Sequence, residues 1–125
     1  MTARQSPVRM AVAGSVRTAY RQSGSGPLLL LMHGAEADHE MFLALMEELD
    51  ADFTVVAYDQ RDSGTTENDD EPYDLGSLAD DAAALIRLIA GPASGAGVHL
   101  YGTSFGGQIA QVLAARHPQL VHRLV

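Results

Sequence analysis

Val98-His99-Leu100-Tyr101-Gly102-Thr103-Ser104-Phe105-Gly106-Gly107-Gln108-Ile109-Ala110 is the stretch that decides the fold of this chain. A short apolar run enters Gly-x-Ser-x-Gly, and a helical pattern leaves it. That layout is a strand–turn–helix reversal with Ser104 at its tip, the arrangement called a nucleophile elbow. A turn this tight forces the tip residue into a strained backbone region. Gly102 and Gly106 have a steric task, because a Cβ at either position would collide where strand and helix pass. The following helix directs its first N–H groups and positive dipole end toward the serine oxygen. Such donors suit a developing oxyanion. Five residues alone also fit a Gly/Ser loop ahead of a helix; the flanking strand and helix patterns select the elbow.

The 125-residue sequence as a whole bounds the class of molecule. Its length is that of one ordinary domain, spanning residues 1–125. No apolar run is long enough to cross a bilayer, and Met1 to Pro7 lacks the apolar core of a signal peptide, so a cytoplasmic location is expected. Cysteine is absent, which excludes disulfides and thiolate metal sites. A net charge of −8 argues against nucleic acid or an anionic membrane as partner. All eight basic residues are arginine, a composition that fits a GC-rich bacterial genome.

Outward from the elbow, strands and helices alternate. Val8–Ala13 and Val16–Tyr20 alternate in polarity around Gly14-Ser15 and predict a β-hairpin. After the breaker Ser23-Gly24-Ser25-Gly26-Pro27, Leu28–Met32 reads as a strand buried on both faces. It ends in His33-Gly34-Ala35-Glu36. Gly34 lets the chain turn so that the Ala35 N–H can face the serine, and His33 is expected to fix this loop by hydrogen bonds. Asp38 can cap the next helix, on which Met41, Phe42, Leu45, Met46 and Leu49 share one face. The methionines read as core filler. Phe53–Tyr58 is another buried strand, closed by a polar loop from Asp59 to Thr66 at the strand end where sites are built. Residues 67–74 are acidic, without the spacing of a calcium loop, and read as a solvated surface loop. Ser77-x-x-Asp80 resembles a capping box for a helix carrying Leu78, Ala82, Leu85 and Ile89 on one face and ending at Gly91-Pro92. His117-Pro118 ends the post-elbow helix, and Leu120–Val125 opens a further strand. The whole predicts a three-layer α/β/α sandwich with a mainly parallel sheet.

Three motifs in this order resemble the N-terminal half of the α/β-hydrolase superfamily. His33-Gly34 is similar to its oxyanion loop, Asp59-x-Arg61-x-x-Gly64-x-Thr66 to its Asp-x-Arg-Gly-x-Gly-x-Ser loop, and Gly102-Thr103-Ser104-Phe105-Gly106 to its elbow. Asp62 stands where that loop usually has Gly, and Thr66 where it usually has Ser. The Arg-Asp-Ser-Gly variant loosely resembles bacterial esterases that include anthracycline methylesterases. The resemblance implies Ser104 as nucleophile, the Ala35 and Phe105 N–H groups as oxyanion donors, and His33, Gly34, Gly102 and Gly106 as supports. Structural neighbourhoods are implied at Asp59 and Gln108. It implies a serine hydrolase of the carboxylic-ester type, with a small-molecule ester-like substrate and neither cofactor nor metal.

The family order is serine, then acid, then histidine. Acid, histidine, later strands and cap are therefore expected beyond residue 125. The alternative is a non-catalytic, hydrolase-like binding module lacking the general base. Of the histidines present, His99 lies below the turn and His117 and His122 at the far end of the following helix. His39 is the one on the plausible face. An open sheet edge after the last strand also predicts a second chain completing the sheet, or a homodimer through that edge.

Overall fold

The computed structural model describes residues 2–125, so the part of the N-terminal reading that concerns Met1 lies outside the described residues. Six strands form one sheet: β1 (Arg9–Ala13), β2 (Val16–Ser23), β3 (Leu28–Met32), β4 (Thr54–Tyr58), β5 (Val98–Gly102) and β6 (Val121–Leu124). Their order across the sheet is β1-β2-β4-β3-β5-β6. The hairpin β1–β2 closes at Gly14-Ser15 with Ala13 opposite Val16. Gly14 takes φ 69°, the left-handed conformation that a two-residue hairpin loop needs. β2 pairs antiparallel with β4, and β4, β3, β5 and β6 then run parallel.

Helices cover both faces. α1 (Leu43–Leu49) packs Met46 with Phe42 against Leu29, Leu31, Val55 and Ala57. On the opposite face α2 (Leu75–Ala90) and α3 (Phe105–Arg116) bury Leu85, Ile86, Ile109 and Leu113 against Leu30, Met32, Val56, Val98 and Leu100. Alternate residues of the continuous run Leu29–Met32 thus serve different layers, which is why the run carries no polar face. Each such side chain removed from water contributes about 1.5–3 kcal/mol before the entropic cost of ordering it.

Two local expectations are corrected. The cap of α2 is Asp74, not Ser77: Asp74 is extended and accepts the Ser77 N–H at 2.9 Å, while Ser77 Oγ accepts the Asp74 N–H at 3.2 Å. The capping box therefore starts three residues earlier. Met41 is 51 % exposed and not core filler. It lies in a 3₁₀ turn, His39–Phe42, that precedes α1, and three residues per turn shifts it out of the α-helical phase assumed for it. Phe42 and Met46 keep their places inside.

Candidate active site

The parallel strands deliver three loops to one end of the sheet. Ser104 stands at the tip of the β5–α3 turn with φ 54° and ψ −120°, outside the regions an L-residue populates readily. Its side chain does not cap α3, and the residue is exposed. The strain is locked by close packing on either side. An added Cβ on Gly102 would lie 2.6 Å from the Gly106 carbonyl oxygen, and one on Gly106 would lie 2.1 Å from that of Met32. The Thr103 N–H donates to Met32 at 3.1 Å, lacing the elbow to the end of β3.

The β3 loop lies against this tip. A Cβ on Gly34 would be 3.5 Å from Ser104 Cβ, ordinary van der Waals distance. The Phe105 N–H is the first of α3, where no intrahelical acceptor exists. Among the described residues, neither it nor the Ala35 N–H donates to a backbone acceptor in turns or loops. Ala35 and Phe105 line one cavity of about 600 Å³, shared with Glu36, Asp38, Met41, Arg61, Asp62 and Tyr73. Ser104 is adjacent through both Phe105 and Gly34, though it is not itself a lining residue.

His33 is fully buried and pinned at both ring nitrogens. The Gln60 N–H reaches Nε2 at 3.1 Å, and because an amide can only donate, the ring proton sits on Nδ1 and is given to the Gly34 carbonyl at 2.7 Å. Gln60 also donates Nε2–H to the His33 carbonyl at 2.6 Å. His39 is equally committed. Arg21 Nε donates to its Nε2 at 2.9 Å, so Nδ1 carries the proton that Asp59 Oδ1 accepts at 2.8 Å. This is a hydrogen bond from a neutral ring to a carboxylate rather than an ion pair. Asp59 takes the His39 N–H at 2.8 Å and the Thr65 N–H at 3.1 Å as well. Burial pushes the Asp59 carboxyl upward, but the bonds from the His39 ring, the His39 amide and the Thr65 amide outweigh it and hold the group below the usual carboxylate range.

Asp38, His39 and Asp59 also form the one grouping of possible metal-binding side chains among the described residues. His39 has no lone pair left to offer a cation, and Asp38 is occupied in capping the Glu40 N–H at 2.9 Å. The remaining histidines lie elsewhere. His99 stacks edge-on against Phe53 and His122, on the α1 side of the sheet. His117 contacts Asp80 at 2.8 Å, at the end of α3 that is about 18 Å from its start.

Sequence reasoning did not find the second wall of the cleft. Residues 67–74 are not merely a solvated loop: Tyr73 lines the cavity and donates its hydroxyl to Asp62 at 2.5 Å, while Asn68 donates to the other Asp62 oxygen at 2.9 Å. Arg61 is 7 % exposed, forks onto Asp81 at 2.8 and 3.0 Å, and reaches Asp69 at 3.2 Å. The available signals were a tyrosine in an otherwise acidic run and an aspartate at 62 where glycine was expected. Asp62 takes φ 63°, which explains that glycine preference.

The model of the α/β-hydrolase fold matches residues 27–125. The chain belongs to the α/β-hydrolase family. It is similar to 2-(acetamidomethylene)succinate hydrolase of Mesorhizobium japonicum, with 37 % identity over 112 residues that cover 90 % of this chain and 39 % of that protein. Among solved structures, an E-2-(acetamidomethylene)succinate hydrolase superposes with a TM-score of 0.88 at 34 % identity, covering 96 % of this chain and 43 % of the other. The epoxide hydrolase CorEH gives 0.86 at 28 % identity, covering 94 % and 40 %. This α/β-hydrolase chain thus spans about two-fifths of the length of the relatives it matches. Several of its relatives are named hydrolases, and among the described residues no helix is long and apolar enough to cross a membrane.

Proposed function

We propose that Ser104 is the nucleophile of an ester-type acyl transfer, with the Ala35 and Phe105 N–H groups as the oxyanion donors. The observation that carries this is the strained, exposed Ser104 at the head of α3, beside two amides without acceptors in the surrounding loops. Ser104 Oγ adds to the acyl carbon as its proton passes to the general base, the carbonyl oxygen gains negative charge against the two amides, and the alcohol leaves with that proton as the C–O bond breaks. Water then hydrolyses the acyl-serine. Amide, lactone, thioester and carbon–carbon substrates fit the same machinery. The epoxide chemistry of one structural neighbour fits less well: a serine opening an epoxide would form an ether, which water does not cleave. In the family's order of serine, then acid, then histidine, the general base is assigned to a histidine C-terminal to Ser104, with the acid that orients it between them. Without that base Ser104 is a weak nucleophile, and an oxyanion hole alone sustains about 10³–10⁴-fold over water.

The test is covalent labelling of the protein with a serine-directed fluorophosphonate, followed by intact-mass and peptide mapping. Labelling on Ser104 that disappears in Ser104→Ala supports the reading; no labelling above Ser104→Ala removes it. Recovery of fast labelling on adding the downstream segment of a relative would place the base there. A second reading, a binding module without turnover, is favoured by the commitment of both His33 and His39 nitrogens to other partners. We also propose that the outer edge of β6 is completed by a second chain or a second copy; an isolated protein that stays monomeric across concentration in sedimentation would count against it.

A further inference from the structure

The cleft above the elbow holds more charge than acyl transfer requires, and the uncompensated part is negative. Glu36 and Asp38 enter it from the β3–α1 loop and Asp62 from the β4–α2 loop. Arg61 is the one cationic lining residue among those described, and it does not offset them. Its fork is taken by Asp81 and its remaining nitrogen by Asp69, so this half-buried trio carries one net negative charge. Asp62 is held by two neutral donors, Tyr73 and Asn68, which satisfy its oxygens and leave its charge in place. The cleft also contains two aromatic residues: the Arg61 guanidinium already lies over the Tyr73 ring, 5.2 Å from its centroid, which leaves Phe105 as the aromatic face for a ligand. Low-dielectric walls carrying one sign of charge concentrate the opposite sign, and an aromatic face suits an alkylammonium group more than a hydrated metal ion.

We propose that this cleft selects esters with an ammonium group at the end that enters it, takes their neutral counterparts less well, and turns away esters bearing a carboxylate. The catalytic form of the claim rests on Ser104 being the nucleophile; the preference in binding does not. Glu36 is the specificity residue with the least structural burden, because it is exposed and none of its side-chain atoms makes a hydrogen bond that the cleft needs.

Affinities are measured on Ser104→Ala by backbone-amide NMR, following Glu36, Asp62, Tyr73 and Phe105. The probes are a trimethylammonium-bearing acetate ester, its uncharged tert-butyl isostere and a carboxylate-bearing acetate ester. At about 10 mM salt, where the screening length is about 30 Å, the cationic ester is expected to bind about tenfold more tightly than the neutral one, with the carboxylate weakest. At about 1 M salt, where that length is about 3 Å, the ratio falls toward one. Glu36→Gln reduces the low-salt ratio about twofold, the effect of one charge at such distances in water. Glu48→Gln, on the exposed side of α1, makes the same change in net charge and leaves the ratio alone. Equal affinity for the cationic and neutral esters, a ratio indifferent to salt, or no binding by any of the three overturns the proposal. Phosphonate probes carrying the same groups test the catalytic arm on the parent protein. Their failure to label Ser104 would withdraw the nucleophile, while the affinities would still decide the charge preference.

Discussion

Two glycines near Ser104 should respond differently to the same methyl group. In Gly106→Ala the new Cβ would sit 2.1 Å from the Met32 carbonyl oxygen and 2.5 Å from that of His33. Ordinary carbon–oxygen contacts are about 3.3–3.6 Å, so the start of α3 must retreat by about 1 Å. Both carbonyls are already in use: Met32 accepts the Thr103 N–H and His33 accepts the Gln60 side chain. Overpacking costs about 1–3 kcal/mol, and disturbing the two hydrogen bonds adds about 0.5–1.5 kcal/mol each. The helical preference of Ala over Gly returns about 1 kcal/mol. A net loss of about 3 kcal/mol remains. Unfolding entropy of about 2.1 cal/mol/K per residue, over this chain length, converts it to a fall in Tm of about 11 °C. Gly34→Ala meets only Ser104 Cβ and the Thr103 oxygen, each at 3.5 Å. Its Tm should move by less than about 3 °C. Its methyl packs on Ser104 Cβ next to the Ala35 amide, however, and labelling of Ser104 by a fluorophosphonate should slow about tenfold. Thermal circular dichroism and labelling kinetics on the two variants decide the matter. A Gly106→Ala protein melting within about 3 °C of its parent, or a Gly34→Ala protein losing as much stability, would refute the packing argument.

Three further outcomes are expected. Ser104→Gly should be more stable than Ser104→Ala by about 1 kcal/mol in urea unfolding, because only glycine adopts φ 54°, ψ −120° freely; equal stabilities would deny the strain. Tyr58→Phe should be neutral or stabilising by about 1–2 kcal/mol, since the Tyr58 hydroxyl is buried with no hydrogen-bond partner among the described residues. Marked destabilisation would reveal a partner. Asp59 has a folded-state pKa below its unfolded value, so the unfolded chain binds its proton first as pH falls. The stability it contributes is complete above about pH 5 and is lost as pH drops through about 4 and below. A urea–pH series should show this slope in the parent and its absence in a less stable Asp59→Asn protein.

The strands and the elbow were legible because each rests on a local constraint. Leu28–Met32 carries no polar residue, which only a doubly covered strand tolerates, and Gly102 and Gly106 bracket Ser104 at the spacing the reversal needs. Met41 was not legible, because periodicity assumes 3.6 residues per turn and a 3₁₀ turn breaks the phase without any signal in hydrophobicity. The α2 cap was misplaced by one turn because Asp74 and Ser77 are both good capping residues, and only geometry selects between them. Tyr73 escaped notice for a different reason. Its role depends on Asp62, eleven residues away, and pairings across a loop leave no period to read.

Backbone strain connects the elbow to the cleft. Four non-glycine residues among those described have positive φ: Glu36, Asp62, Asp70 and Ser104. Three of them surround the proposed reaction centre: Glu36 and Asp62 in the lining of the cavity, Ser104 at its edge. Glycine would relieve each, at about 1 kcal/mol or more per site. At 104 a glycine would delete the hydroxyl, so the strain is tied to chemistry. At 36 and 62 the reaction steps proposed for Ser104 require no side chain, yet both positions carry a carboxylate. At 62 the carboxylate offsets its strain by accepting from Tyr73 and Asn68, whereas at 36 local stability argues against the residue and electrostatics argues for it. A cleft that only needed to turn the chain would have no use for the charge at 36; one that must attract a cation has use for both.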